Sequence, residues 1–137
     1  MDATFLEKIK ADYPQLRFIS GQRFAFRPPR TIVVDYSEKS NASPLLLLHE
    51  LGHALIGEYS YKTEVGRLKI EVKAWEKAKE LANLYGVRVD EELIEGELDS
   101  YRDFLHQKSR CPECGLTRFQ TPGGDFLCPK CDTRQLF

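Results

Sequence analysis

The stretch LLLLHELGHAL, from Leu45 to Leu55, constrains this chain more than any other part of it. Ser43 and Pro44 precede it as a helix start, an N-cap hydroxyl followed by a residue whose missing N–H costs nothing at the first helical position. Gly57 can close it. A helix this apolar belongs in an interior, where His49, Glu50 and His53 need partners. The two histidines are four apart, so on a helix they share one face and can hold one ion, with Glu50 beside them. The bland alternative is a pair of core histidines bonded to backbone. Lying on a well-started apolar helix favours the metal. Neutral imidazoles bind zinc well, and a catalytic zinc keeps one position open for water. A carboxylate nearby can then take that water's proton.

A zinc of that kind usually has three protein ligands. His106 is the one histidine after His53, so no third histidine follows closely and a carboxylate is expected. A second helix is predicted from about Glu64 to Tyr85, closed by Gly86, and a third from about Glu91 to Gln107 behind Asp90. At 100° per residue, Leu68, Ile70, Ala74, Trp75, Ala78 and Leu81 form a broad apolar arc on the second helix, and Glu71 falls near its middle. Glu76 and Glu80 fall among lysines, where ordinary i,i+4 pairs account for them. A buried carboxylate is costly unless something cationic compensates it. Glu71 is therefore the leading third ligand. Glu97, among Leu93, Leu98, Tyr101 and Phe104 on the third helix, is its rival, or else the acceptor for the second ring N–H of a zinc histidine.

HELGHAL followed by Glu71 in EVKAW resembles the compact gluzincin-type zinc metallopeptidases, the minigluzincins and ImmA/IrrE-like peptidases, over roughly residues 30 to 85. The resemblance implies His49, His53 and Glu71 as zinc ligands, Glu50 as general base and peptide-bond hydrolysis as the activity. It also implies a small sheet whose edge strand aligns an extended peptide, for which Thr31 to Tyr36 is the expected strand. The chain departs from the family pattern at Trp75, where an acidic residue often stands. For the oxyanion of a hydrated peptide bond, Tyr59, Tyr61, Tyr101 and His106 are chemically able, and the sequence selects none of them.

All four cysteines stand near the end, as Cys111-Pro-Glu-Cys114 and Cys128-Pro-Lys-Cys131, with Thr121-Pro-Gly-Gly-Asp125 as a turn between them. Two such knuckles joined by a hairpin predict a closed four-cysteine zinc ribbon rather than a redox pair. A unit so small would take its folding energy from the metal. Counting Arg134, its local charge is only +1, so Phe119 and Phe126 give nucleic-acid binding weak support. A terminal ribbon behind an H-E-x-x-H motif is also similar to the SprT-type proteases of DNA-bound proteins, which use a third histidine. Besides that alternative stands a non-catalytic adaptor that docks protein or nucleic acid through the ribbon. A further expectation is latency, with the ribbon or the apolar tail Thr133 to Phe137 lying over the cleft.

Ahead of the histidine helix, a helix over residues 2 to 12 is expected, then a hairpin of Leu16 to Ile19 with Arg23 to Arg27, then Thr31 to Tyr36 as a strand. The expected architecture is α+β: a small β-sheet, the active-site helix, the glutamate helix and a third helix in residues 1–107, and the zinc ribbon in 108–137. Residues 108 to 110 would link the two. A net charge of −1 gives no global pull toward nucleic acid or an anionic membrane. The start lacks a signal-peptide pattern, and the longest apolar run is too short to span a bilayer. A cytoplasmic protein with two zinc ions, one catalytic and one structural, acting on a peptide or protein substrate, is the expectation.

Overall fold

The computed structural model describes residues 1–132. It is a mixed α+β structure of four helices and two small sheets. Helix α1 (Ala3–Asp12) starts behind Asp2, whose side chain accepts the Thr4 N–H, and buries Leu6 and Ile9. Strands β1 (Arg17–Ser20), β2 (Ala25–Arg27) and β3 (Thr31–Val34) form the first sheet.

The sheet order is β1-β3-β2. The expected hairpin between the first two strands does not form, because β3 lies between them, parallel to β1 and antiparallel to β2. The physical reason is apolarity: Ile32, Val33 and Val34 are buried, and a continuous apolar β-branched run suits a strand covered on both faces and paired on both edges. Thr31 to Tyr36 therefore supplies the centre of the sheet and not the expected edge. The edge strands are β1 and β2, and β2 lines the cleft described below through Ala25 and Phe26.

Helix α2 (Ser43–Ile56) is buried along Leu45, Leu47, Leu48, Leu51, Gly52 and His53. Its N-cap is Ala42 rather than Ser43; the buried Ser43 hydroxyl donates to the Glu38 carbonyl and ties the incoming loop to the first turn. Gly57 ends α2 at φ 70°, and Gly86 ends α3 (Glu64–Tyr85) at φ 69°, both in the left-handed region that glycine enters without a Cβ penalty. Helix α4 (Glu91–Ser109) starts behind Asp90, which accepts the Leu93 N–H. It runs through Lys108 and Ser109, so the expected linker is largely helix. The core joins Leu6 and Ile9 of α1, Ile32 and Val34 of β3, the α2 leucines, Trp75, Ala78 and Leu81 of α3, and Ile94 and Leu98 of α4. Strands β4 (Phe119–Gln120) and β5 (Phe126–Leu127) pair antiparallel as the second sheet. No described helix is long and apolar enough to cross a membrane.

Candidate metal centres

Small residues let α2 and α3 approach closely. Gly52 lies between the two histidines, and a Cβ there would stand 2.6 Å from the Ala74 carbonyl oxygen; Ala74 and Ala78, fully buried, form the facing surface. This contact brings Glu71 opposite the histidines. His49 Nε2 lies 3.0 Å from Glu71 Oε2, and His53 Nε2 is 3.3 Å from the same carboxylate. Tetrahedral bonds of about 2.1 Å put ligand atoms about 3.4 Å apart, close to the spacing of Glu71 from each imidazole, and the three donor atoms all lie within 4.8 Å of one another. This trio of two imidazoles and a carboxylate can hold a metal ion.

The imidazoles are oriented from behind. The His49 ring stacks flat on Trp75, with centroids 4.0 Å apart and planes within 2°, and His53 lies parallel to Phe26 at 6.4 Å. Trp75 thus supports His49 by face contact. Glu50 Oε1 is 3.5 Å from His49 Nδ1, at the outer limit of a hydrogen bond. Burial pushes the His49 pKa down, but Glu50 and Glu71 outweigh it and raise the value from 6.5 to about 9. Burial alone would raise Glu71; its bonds to His49 and His53 instead hold it at about 2. Those two shifts describe one interaction, a carboxylate paired with an imidazolium whose proton a metal ion would have to replace.

These groups form one wall of a cleft of about 660 Å³, which β2, Arg67 and Tyr101 also line. Tyr101, from α4, faces Glu71 and Arg67; burial raises its phenol, the Glu71 charge adds to the rise and Arg67 opposes it. Of the four groups able to serve an oxyanion, Tyr101 and Tyr59 line the cleft, and Tyr59 meets the Phe26 ring edge-on. Tyr61 packs on Arg67, and His106 is exposed and lines none of the cleft. Glu97 reaches the cleft but is exposed, and among the described residues it bonds neither histidine. Helix α4 buries Ile94 and Leu98, which turns Glu97 to the rim instead of the interior its apolar neighbours suggested.

The second group is Cys111, Cys114, Cys128 and Cys131, whose sulfurs all lie within 4.8 Å of one another. Cys114 and Cys128 are 3.5 Å apart, Cys111 and Cys131 3.9 Å; bonds of about 2.3 Å from a tetrahedral zinc would separate sulfurs by about 3.8 Å. The backbone N–H groups of Cys131 and Lys130 point at the Cys128 sulfur and lower its pKa to about 7, while the hydrogen bond with Cys114 pushes Cys131 up to about 12, so in the metal-free unit thiolate character gathers on Cys128. Asp132 accepts the Cys128 N–H at 2.7 Å and closes that knuckle. Four sulfurs leave no position for a substrate.

The cysteine unit is clipped to α3. The Gln120 side-chain oxygen accepts the Glu64 N–H at 2.8 Å, and its amide donates to the Gly124 carbonyl at 2.9 Å. The hairpin turn at Gly124 lies against the Lys62 carbonyl, leaving no room there for a Cβ. Gln120 thus satisfies one of the orphan N–H groups that open a helix. No described residue of this unit lines the cleft, and the tail Thr133 to Phe137, considered above as a cover for it, lies outside the described residues. Sequence reasoning missed Arg67, although its position one turn before Glu71 was a signal for it. It also missed the stacking of Trp75 and the Gln120 contact, which has no local signature.

Comparison with known proteins finds no matching family model, no similar curated protein and no similar solved structure.

Proposed function

We propose that the chain is a zinc-dependent peptidase of gluzincin type, with a second, structural zinc in a C-terminal ribbon. The observation that carries the reading is the convergence of His49, His53 and Glu71 on the wall of an open cleft, with Glu50 beside them. Three donors facing a cleft suit a working metal; four cysteines closed on one another suit a structural one. Zinc held by the first trio would act as a Lewis acid, polarising a carbonyl and lowering the pKa of water.

The chain's own residues supply the rest. Glu50 takes the proton of the attacking water and passes it to the departing amine nitrogen. Trp75 and Phe26 keep the imidazoles turned toward Glu71. Strand β2 pairs with β3 on one side only, so its other edge has backbone N–H and C=O groups for an extended peptide. An acidic third donor favours this reading over the SprT-type one, which needs a third histidine.

The test is zinc per chain together with peptidase activity, for the parent, Glu71→Ala and Glu50→Gln. Two zincs in the parent, one in Glu71→Ala, and two zincs with hydrolysis abolished in Glu50→Gln are expected. One zinc in the parent, or a Glu50→Gln protein as active as the parent, would overturn the reading. An adaptor would be indifferent to the Glu50 substitution.

A further inference from the structure

Arg67 is the half-buried cation of the cleft wall whose role the mechanism above leaves open. It stands one helical turn before Glu71, so its side chain leaves α3 on the same side as the metal ligand. Two rings from different parts of the chain fix it. The guanidinium carbon lies 4.8 Å from the Tyr101 ring centroid and 5.8 Å from that of Tyr61. Such contacts place the guanidinium without spending its charge on a carboxylate. Among the described residues Arg67 makes no ion pair, although Glu71 stands one turn away and Glu97 lines the same cleft. Glu71 is engaged by the two histidines, and Glu97 lies beyond ion-pair distance.

A guanidinium placed by aromatic rings on a cleft wall, with no carboxylate of the described residues in ion-pair contact, matches a carboxylate in two-point contact. We propose that Arg67 receives a carboxylate of the bound peptide, so that the cleft selects chains carrying an acid beside the bond to be cut; this rests on the peptidase reading. Asp35, Glu38, Glu50 and Glu97 also line the cleft, against one other cation, the exposed Arg23, and this excess of acids disfavours a polyanion such as nucleic acid while one acid can still be met at the half-buried Arg67. The acid is either the terminal carboxylate of the peptide or an Asp or Glu side chain. The chemistry of recognition is the same.

Binding separates these sources without turnover. The zinc-loaded full chain carrying Glu50→Gln is titrated calorimetrically with acetylated Ala-Phe-Ala-Leu as free acid and as amide, and with the amide bearing Asp or Asn in last place. Each series is repeated with Arg67→Gln and Arg67→Lys added. At least one acid is expected to bind about 10- to 100-fold more tightly than its neutral twin, as for a hydrogen-bonded charged pair. Arg67→Gln removes the preference and Arg67→Lys keeps part of it, with zinc content and melting temperature unchanged. Preference for the free acid identifies the terminus, and preference for Asp over Asn the side chain. Equal binding of acid and neutral twins, a preference that survives Arg67→Gln, or no binding of any peptide overturns the proposal. The parent is then assayed for cleavage of the same peptides. Arg67-dependent binding without cleavage would leave the carboxylate contact at Arg67 standing and remove the peptidase reading; cleavage blind to the acid would do the reverse.

Discussion

Gly52→Ala tests whether the α2–α3 contact builds the histidine–glutamate site. By helix propensity alone the substitution stabilises, since alanine is favoured over glycine inside a helix by about 1 kcal/mol. The structure predicts the opposite sign. The new Cβ would lie 2.6 Å from the Ala74 carbonyl oxygen, whereas ordinary contact begins at 3.4 Å, so the helices must part by about 0.8 Å. The obstacle is backbone, which no rotamer change can move. We therefore take the upper end of the cost of overpacking, about 3 kcal/mol, leaving a net loss of about 2 kcal/mol. For a chain of this length that is a fall in melting temperature of about 8 °C. The same separation moves Glu71 away from His49 and His53, now 3.0 and 3.3 Å from it, so zinc affinity at that site should drop at least about tenfold, the scale seen when ligand support is lost. Urea denaturation and competition with a zinc chelator read the two effects. A Gly52→Ala protein as stable as the parent, with zinc affinity unchanged, would refute the reasoning.

With His49 raised to about 9 and Glu71 held at about 2, His49 carries a proton at pH 7 in the metal-free site and Glu71 does not. Zinc requires neutral imidazole, so filling this site displaces the His49 proton and its affinity rises with pH up to about 9; calorimetry in buffers of different ionisation enthalpy, on protein whose cysteine centre is already filled, measures the release, and no release would contradict the pairing. The sign for stability follows from the same groups. The His49 contribution to the metal-free fold is complete below 6.5 and lost as pH rises through about 9, while that of Glu71 is present above 4.5 and lost as pH falls through about 2. Trp75→Ala should cost about 3–5 kcal/mol and lower zinc occupancy. Trp75→Phe keeps a ring under His49 and should retain the metal, so equal zinc loss in both would argue against stacking as the support. Gln120→Ala leaves the Glu64 N–H without its partner, a loss of about 1 kcal/mol, seen as faster amide exchange at Glu64 with zinc at the four cysteines retained; unchanged exchange would mean the clip does not hold the start of α3.

The sequence by itself determined what neighbours along the chain decide. The histidines share a face because α-helical periodicity puts positions four apart together, and Gly57, Gly86 and Asp90 bound their helices through local backbone chemistry. The knuckle spacing likewise placed the cysteines two by two, and the structure brings all four sulfurs together. Tertiary packing decided what depends on distant partners. Glu71 and Glu97 both lay on apolar faces by periodicity, but close contact of α2 with α3 at Gly52 brings only Glu71 to the histidines, while burial of Ile94 and Leu98 turns Glu97 outward. Strand order was equally beyond local reading, because β3 takes the centre by being covered on every side, a property of the whole core. Arg67 acquires its setting in the same way, from rings supplied by α4 and by the loop before α3. A wheel shows which face a side chain leaves; only packing decides what it meets there.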